Sequence, residues 1–444
     1  MTAAEQNSNQ YYKPGQRIAV IGSGISGLTA AHVLAADHDI TVFEAADYIG
    51  GHTNTINVGP KYGGLDVDTG FIVFNDWTYP NFIKLMTKIG VESQPSDMSF
   101  SVKCERTGLE YNGTSINSLF AQRRNLLRPS FHRMIRDILR FNKESLALLD
   151  RPEDDGQTLG DYLKEHHYSE QFVRHYIVPM GAAIWSSGER AMDIFPARYF
   201  VRFFKNHGML SVNERPQWRV IKGGSFKYID KITRPFAGGV RLRLPVENVT
   251  RDRDGVWIKA RGQEREKFDH VILACHTDQA MAMLGDATPA ERDILGAIPY
   301  APNDAVLHTD ARVMPRRKLA WASWNYHIRN DNPGADRGAD RAAERVAVTY
   351  NMNILQTLPA RETFLVSLNY DDAIDDRHVI KKILYHHPSY SVASIRAQLR
   401  HGEISAAAGN GGRTHFCGAY WGFGFHEDGV KSGLAVAQAF GKGL

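Results

Sequence analysis

Residues 17–45 read RIAVIGSGISGLTAAHVLAADHDITVFEA. The apolar run at 17–22 predicts a buried strand, and residues 26–36 are apolar at the spacing of a helix. A second apolar run at 40–45 predicts another strand. This order of strand, helix and strand predicts a βαβ unit.

Three glycines join the first strand to the helix in the pattern G-x-G-x-x-G. Gly22 permits a tight turn, Gly24 leaves room for a pyrophosphate to approach the backbone, and Gly27 lets the helix pack closely on the strand. The helix N-terminus offers free N–H groups and a partial positive charge to phosphates. We therefore predict a dinucleotide site here. The other residues of its phosphate loop are Ser23, Ile25 and Ser26.

Glu44 closes the second strand, 17 residues after Gly27. A carboxylate at this place accepts hydrogen bonds from a ribose and repels a 2′-phosphate, so NADP is disfavoured. The alternative is a glycine-rich turn that binds nothing, and the register of both strands, the helix and Glu44 argues against it.

Composition sets the class of protein. With 444 residues, 43% of them hydrophobic, the chain can form a large core and two or three domains. The polar start and the lack of a long apolar run predict a cytoplasmic protein without a signal peptide or a membrane span.

Three scattered cysteines predict neither disulfides nor a CxxC site, and a net charge of +4 gives no reason to expect nucleic acid. The charged, low-complexity segment 331–344 is expected to be a surface insertion.

A basic amphipathic segment lies at residues 119–143, with seven Lys or Arg against one Asp. We expect a helix broken near Pro129. Two interpretations stay open: a helix that packs on the core with a solvated basic face, and a peripheral contact with an anionic membrane surface.

Residues after Glu44 carry a resemblance. Residues 50–52 read GGH, and the sequence resembles the amine oxidase and phytoene desaturase superfamily of flavoproteins, in which this step continues the FAD site. More narrowly, it resembles a bacterial group of predicted NAD/FAD-binding proteins. Four more segments resemble the superfamily, namely LDVDTGFIVF (65–74), LPVENV (244–249), VILACH (271–276) and FCGAYWGFGFHEDGVKSG (416–433).

The resemblance implies that FAD is the cofactor and assigns further contacts to it. Gly429 and Val430 would open a helix whose dipole stabilises negative charge on a reduced flavin. The full set implied by the resemblance is Ala45, Gly50, Gly51, His52, Thr53, Thr69, Gly70, Phe71, Ile72, Val246, Ala274, Gly418, Glu427, Asp428, Gly429 and Val430.

The fold implied by the resemblance is α/β, with a Rossmann-like FAD-binding domain and an inserted α+β substrate domain, as in amine oxidases. We expect a discontinuous FAD domain of residues 1–95, 215–285 and 400–444. The substrate domain would comprise residues 96–214 and 286–399, and function would lie at the interface.

The sequence departs from the amine oxidase pattern. Flavin amine oxidases usually carry a lysine at a position that falls near Ala305, and no lysine occurs from residue 268 to 317. One cage tyrosine is replaced by Phe425. Neither Cys275 nor Cys417 lies where a flavin-linking cysteine is expected, so we expect FAD to be bound non-covalently.

These departures favour hydride transfer to FAD from a C–H bond of an apolar small molecule, such as a fatty-acyl or other lipid chain. The reduced flavin would be reoxidised by oxygen or another acceptor. One alternative is an amine oxidase that releases hydrogen peroxide. Others are a redox-neutral flavoprotein such as an isomerase, a non-catalytic FAD-binding partner of a lipid-modifying enzyme, and an NAD-dependent dehydrogenase.

Three side chains are candidates for the catalytic pocket. His426 has the right chemistry to move a proton near neutral pH, or it serves the backbone of the motif. Phe425 would shape the pocket, and Trp185 would form its wall or simply pack in the core. No metal site is expected, because the adjacent His386 and His387 point apart on an extended chain and lack a partner carboxylate.

Overall fold

The computed structural model describes residues 13–152, 156–329, 347–405 and 412–444. The predicted surface insertion at 331–344 lies outside these ranges. Within them, the strands are β1 Arg17–Ile21, β2 Asp39–Phe43, β3 Thr55–Asn57, β4 Asp66–Asp68, β5 Phe74–Asn75, β6 Ser93–Pro95, β7 Phe100–Cys104, β8 Leu109–Asn112, β9 Trp218–Ile221, β10 Val240–Arg241, β11 Val246–Arg251, β12 Val256–Ala260, β13 Glu266–Phe268, β14 His270–Leu273, β15 Tyr300–His308, β16 Trp324–Ile328, β17 Ala347–Asn351, β18 Leu365–Leu368, β19 Val379–Pro388 and β20 Thr414–Phe416.

The α-helices of the same ranges are α1 Ile25–Leu34, α2 Pro80–Lys88, α3 Ile116–Leu119, α4 Pro129–Glu144, α5 Leu159–Glu165, α6 Glu170–Phe172, α7 Val178–Trp185, α8 Glu189–Asp193, α9 Ala197–Asn206, α10 Ile229–Thr233, α11 Thr277–Met283, α12 Pro289–Gly296, α13 Met352–Leu355, α14 Val392–Leu399 and α15 His426–Ala439.

A five-stranded parallel sheet contains the predicted βαβ unit. Its strand order is β10-β2-β1-β14-β20, and Val20 pairs with both Val42 and Ile272. All three side chains are fully buried, as expected for central strands covered on both faces. Helices α1 and α15 pack together beside this sheet, where Gly429 and Gly433 allow their backbones to approach. The predicted strand–helix–strand segment is confirmed.

The second large sheet has seven strands in the order β19-β15-β18-β17-β16-β7-β8. Neighbouring strands are antiparallel, except that β16 runs parallel to β7. Its core continues into helices α4 to α9, which contribute the buried rings Phe131, Phe141, Phe172 and Phe200. The α/β fold is confirmed, while the exact domain boundaries remain a prediction.

The basic segment is a helix only in its second half. Arg128 has an extended backbone and α4 begins at Pro129, because the residue before a proline is kept out of the helical region. The expected break near Pro129 is therefore confirmed, while residues 123–127 before it form a 3₁₀ turn and not the expected α-helix. On α4, Phe131, Met134 and Phe141 are buried in the core. No helix within the described ranges is long and apolar enough to cross a membrane.

Candidate active site

A cavity of about 890 Å³ lies between the two large sheets. The turn between β1 and α1 lines one side of it, and residues of β16, β17, β18 and β19 line another. A cavity that joins the carboxyl end of a parallel sheet to a second unit is where α/β proteins commonly bind ligands.

The phosphate loop opens onto this cavity. Gly22 has a φ of +106°, and a Cβ atom there would lie 2.6 Å from the carbonyl oxygen of Ala274, so only glycine fits. A Cβ atom at Gly24 would meet no atom within 4 Å, so the space above it is open. Helix α1 begins at Ile25 without a side-chain cap and without an acidic residue in its first turn. Its free N–H groups and this open space fit a pyrophosphate.

The Glu44 carboxylate is fixed by its own chain. One oxygen accepts hydrogen bonds from the backbone N–H of Ser23 at 2.9 Å and from the Ser23 hydroxyl at 2.6 Å. The other oxygen accepts one from the N–H of Ala46 at 2.8 Å. Glu44 lines the cavity, and these bonds hold the carboxylate at the end of β2, where a ribose hydroxyl can reach it.

The segments around His52 and Phe71 are tied together. The N–H of Phe71 donates to the carbonyl of His52 at 2.6 Å, and a Cβ atom at Gly70 would lie 2.3 Å from that same oxygen. The Phe71 ring stacks on the imidazole of His426, with ring centres 3.5 Å apart. The two predicted cofactor segments and the start of α15 therefore form one wall.

Of the 23 predicted cofactor residues, 17 line the cavity: Gly22, Ser23, Gly24, Ile25, Ser26, Glu44, Ala45, Gly50, Gly51, His52, Thr69, Gly70, Phe71, Ile72, Val246, Ala274 and Gly418. The remaining six are Gly27, Thr53, Glu427, Asp428, Gly429 and Val430, which are not among the lining residues. For these six, direct contact with the cofactor stays a prediction.

Three of these six residues have a role in packing within the protein. A Cβ atom on Gly27 would lie 2.3 Å from the carbonyl oxygen of Gly22, and one on Gly429 would lie 2.7 Å from a methyl group of Ile25. Both glycines thus allow close contact of α1 with its neighbours. Val430 is fully buried in the core beside them.

The other three residues form hydrogen bonds within the protein. Thr53 contacts the hydroxyl of Tyr228 and Nε2 of His426. Glu427 accepts bonds from the N-terminus of α2. Asp428 accepts bonds from the N–H groups of Phe423 and Phe425 at 3.0 and 3.1 Å, and burial raises the pKa of its carboxyl to about 6.

All three predicted pocket residues line the cavity. Trp185 is 5% exposed and donates from Nε1 to the carbonyl of Phe423 at 3.2 Å, so it is both wall and packing residue. Phe425 stacks on Phe203. The Nε2 atom of His426 lies 3.1 Å from the hydroxyl of Thr53 and 3.2 Å from that of Tyr228, and burial holds the pKa of this imidazole well below its usual value. These contacts favour a positioning role for His426.

Sequence reasoning missed a cluster of imidazoles on the cavity wall. His52 lies 5.2 Å from His387 between ring centres, and His276 lies 6.2 Å from His386. Burial and the neighbouring imidazoles lower the pKa of His52 and His276 to about 4 and that of His387 to about 3. All three are therefore neutral near pH 7. No group of three or more metal-binding side chains occurs in the described ranges.

Two of these imidazoles carry a buried nitrogen without a hydrogen-bond partner among the described residues, namely His52 Nε2 and His387 Nδ1. The same holds for the indole N–H of Trp324 and the hydroxyl of Tyr390, which also line the cavity. Buried polar atoms without partners are unfavourable, so their presence around a cavity indicates that a ligand supplies the partners.

Charge is distributed unevenly over the lining. Glu44, Glu247 and Arg261 are its charged side chains within the described residues, and all three lie on the side of the phosphate loop. The opposite side consists mainly of rings and aliphatic groups, including Trp185, Trp324, Tyr350, Leu368, Tyr390, Phe423 and Phe425. Ala305, where the lysine of amine oxidases was expected, is buried in β15 and does not line the cavity.

The glycine turn, the free N-terminus of α1 and the fixed Glu44 fit the phosphates and the ribose of FAD. So does His52, whose Nε2 atom has no hydrogen-bond partner among the described residues. The fold and this cavity together define a two-domain FAD-binding protein. A family model, flavin containing amine oxidoreductase, matches residues 25–353. The chain belongs to this family of flavin-containing amine oxidoreductases, and FAD is its cofactor.

Similar proteins agree with this class. Flavin-containing amine oxidase A of Canis lupus familiaris is 26% identical over 324 residues, which make up 70% of this chain and 58% of that protein. The chain thus covers less than two thirds of the length of the curated relatives it matches.

Two solved structures share the fold. Cyclohexylamine oxidase of Brevibacterium oxydans IH-35A has a TM-score of 0.69 at 18% identity, covering 96% of this chain and 99% of the other. The CLA-producing fatty acid isomerase of P. acnes has a TM-score of 0.66 at 15% identity, covering 94% and 97%.

Proposed function

We propose that this chain removes a hydride from a C–H bond of an uncharged, largely apolar small molecule. The observation that carries the proposal is the absence of charged side chains from the cavity lining opposite the phosphate loop, within the described residues. A permanently charged substrate group buried there would lose its hydration without gaining a counter-charge. An apolar chain, such as a fatty-acyl chain, loses nothing on entering such a pocket and gains the free energy of burial.

When bound, FAD supplies the acceptor for the hydride. Gly24 and the N-terminus of α1 would hold its pyrophosphate, Glu44 its ribose, and the segment from Thr69 to Ile72 would lie along its flavin. The aromatic wall excludes water and positions the C–H bond that reacts.

His387 is our proposed acceptor for the proton that the substrate loses. Its Nδ1 atom is buried on the cavity wall and has no partner among the described residues. The proposal rests on this position and not on basicity, because burial lowers the pKa of the ring to about 3. His426 would instead position Phe71 and the start of α15 through its stacking contact. The hydroxyl of Tyr390 and the indole N–H of Trp324 are available to bind a polar end of the substrate.

Amine oxidation is the second candidate, because the chain belongs to the amine oxidoreductase family and an amine in its uncharged form would fit the aromatic wall. The lack of a lysine in the cavity lining of the described residues separates this pocket from the pattern expected of flavin amine oxidases. A redox-neutral isomerisation on the same fold is the third candidate.

Anaerobic mixing of the holoenzyme with separate panels of amines and long-chain lipids tests these candidates. We expect lipids to bleach the flavin absorbance and amines to leave it unchanged. Bleaching by amines, with hydrogen peroxide released in air, would establish the second candidate instead. Conversion of a lipid double bond without net bleaching would establish the third.

An apolar substrate of this kind resides in membranes, so we place the enzyme at the cytoplasmic face of one as a peripheral protein. Fractionation of cells at low and high salt tests this location. A holoenzyme found wholly in the low-salt supernatant would contradict it.

A further inference from the structure

The surface before and along α4 exposes one isoleucine and three leucines among basic side chains. Ile116 is 80% exposed, Leu126 50%, Leu127 89% and Leu139 55%. Isolated exposed leucines are common on proteins, but several close in sequence and surrounded by one sign of charge mark an interaction site. We call Ile116, Leu126, Leu127 and Leu139, with Arg123, Arg124, Arg128, Arg133, Arg136 and Lys143, the basic apolar surface.

Hydrogen bonds connect the residues before α4 to the helices on either side. The Arg123 guanidinium donates to the carbonyl groups of Asn117 and Phe120 at 3.2 and 2.9 Å, which ties the 3₁₀ turn to α3. The imidazole of His132 lies 2.9 Å from the carbonyl of Leu126, which ties the same turn to α4. The turn is thus anchored at both ends, while Leu126 and the residue after it project into solvent.

The charge of this surface has one sign. Arg133, Arg136 and Lys143 are exposed on α4, whereas the single acid inside the segment, Asp137, is 3% exposed and accepts a hydrogen bond from the N–H of Ser169 at 3.0 Å. Glu144 at the end of α4 already contacts Arg140 and Tyr168. The partner that fits is therefore anionic and also offers an apolar phase to the leucines, and an anionic lipid bilayer has both properties.

We propose that the basic apolar surface docks the protein on anionic membranes, with Leu126 and Leu127 inserted among the lipids. This inference deepens the proposed function, because it rests on a substrate that resides in membranes and names the surface on which the enzyme would meet it. Its test uses binding alone, so that its failure and the failure of the proposed chemistry are distinguishable.

The experiment is sedimentation of the holoenzyme with vesicles of phosphatidylcholine, with and without phosphatidylglycerol. We expect binding to the vesicles that contain phosphatidylglycerol, weakened by salt, and little binding to phosphatidylcholine alone. Leu126→Ser with Leu127→Ser should weaken binding by about 100-fold, since each buried leucine contributes roughly tenfold. Arg133→Gln with Arg136→Gln should weaken it by about 25-fold, at roughly fivefold per basic side chain.

Matched controls come from elsewhere on the chain. Leu399 is 58% exposed at the end of α14, and Lys61 and Lys381 are exposed in other elements, so Leu399→Ser and Lys61→Gln with Lys381→Gln should bind as the wild type does. Bound FAD, read from its absorbance, reports that each variant is folded. Equal binding to both kinds of vesicle, or no loss in the leucine and arginine variants, would overturn the proposal. So would retention on an acidic polypeptide without retention on vesicles, which would assign a protein partner instead.

Discussion

The Glu427 carboxylate accepts a hydrogen bond from the backbone N–H of Phe82 at 2.9 Å. It also accepts bonds from the N–H and the side-chain amide of Asn81, at 3.2 and 2.7 Å. Glu427 on α15 thus caps the N-terminus of α2 although it is 3% exposed. We expect Glu427→Ala to lower the free energy of unfolding by roughly 1–3 kcal/mol, because the buried N–H groups lose their acceptor. Denaturant unfolding measures this change.

Glu427→Gln is the matched control, since it keeps one oxygen acceptor and should cost less. The FAD content should be the same in both variants and in the wild type. Loss of FAD from both variants without a change in stability would contradict the capping role and favour the contact with the cofactor that the resemblance implies.

Gly24→Val should weaken FAD binding without unfolding the protein. A Cβ atom at this position meets no protein atom within 4 Å, so the added side chain would occupy the open space over the phosphate loop. We expect the dissociation constant for FAD to rise by about 10-fold to 100-fold, which corresponds to about 1.4–2.8 kcal/mol of lost binding. Fluorescence titration of the apoprotein with FAD measures it, and circular dichroism checks the fold.

Gly296→Val is the matched control for Gly24, because Gly296 also has open space around its Cβ position and lies outside the cavity lining. FAD binding should be unchanged in this variant. Equal FAD affinity in the Gly24 variant and the wild type would place the pyrophosphate elsewhere.

His387→Gln should slow flavin reduction and leave FAD binding intact. If this imidazole accepts the substrate proton, its loss should lower the rate of anaerobic flavin reduction by about 10²-fold to 10⁴-fold, the usual contribution of a positioned general base. Stopped-flow absorbance with a substrate found in the panels measures the rate. The adjacent His386→Gln is the matched control, and similar rates in both variants would remove His387 from the proposed mechanism.

His415 should make the protein less stable in acid. It is fully buried on β20, and burial together with His270 and His401 lowers its pKa to about 3. The unfolded chain binds a proton on this residue below about pH 6.5 and the folded chain does not, so stability is lost as the pH falls below 6.5. This one residue lowers the free energy of unfolding at pH 4.5 by about 3 kcal/mol relative to pH 7.

Thermal unfolding of the wild type and of His415→Gln between pH 7 and 4.5 measures this cost. We expect a smaller loss of stability on acidification in the variant. Asp68 and Asp428 have the opposite effect on stability, because burial raises the pKa of each carboxyl to about 6. The folded chain therefore binds these protons more readily than the unfolded chain, and acidification stabilises it. Parallel pH profiles for the two proteins would contradict a buried, neutral His415.

The local features of the site could be predicted from the sequence. Gly22 and Gly24 act through their own backbone, and Glu44 follows them on the next strand, so their relation is set within a single βαβ unit. Gly70 and His52 lie outside this unit, and the resemblance assigns both to the FAD site; a Cβ atom on Gly70 would lie 2.3 Å from the His52 carbonyl oxygen.

The features that join distant segments could not be predicted. His387 reaches the cavity because β19 pairs with β15, where Pro388 lies opposite Tyr300, and no local signal specifies such a pairing. Glu427 lies in the first turn of α15 whether it binds the cofactor or caps α2, and only the approach of Asn81, 346 residues away in the chain, makes its carboxylate a cap. The exposure of Leu127 likewise depends on how the turn before α4 is held.

The strand order of the parallel sheet has a consequence for biosynthesis. Strand β1 is made first, yet one of its neighbours, β14, begins at His270, and the edge strand β20 ends at Phe416. While the ribosome is still adding residues, β1 and β2 therefore present an unpaired edge that can associate with other chains. Ribosome-bound chains that stop before Thr414 should be degraded by a protease that spares chains containing β20, so the nucleotide-binding unit matures only after β20 has been made.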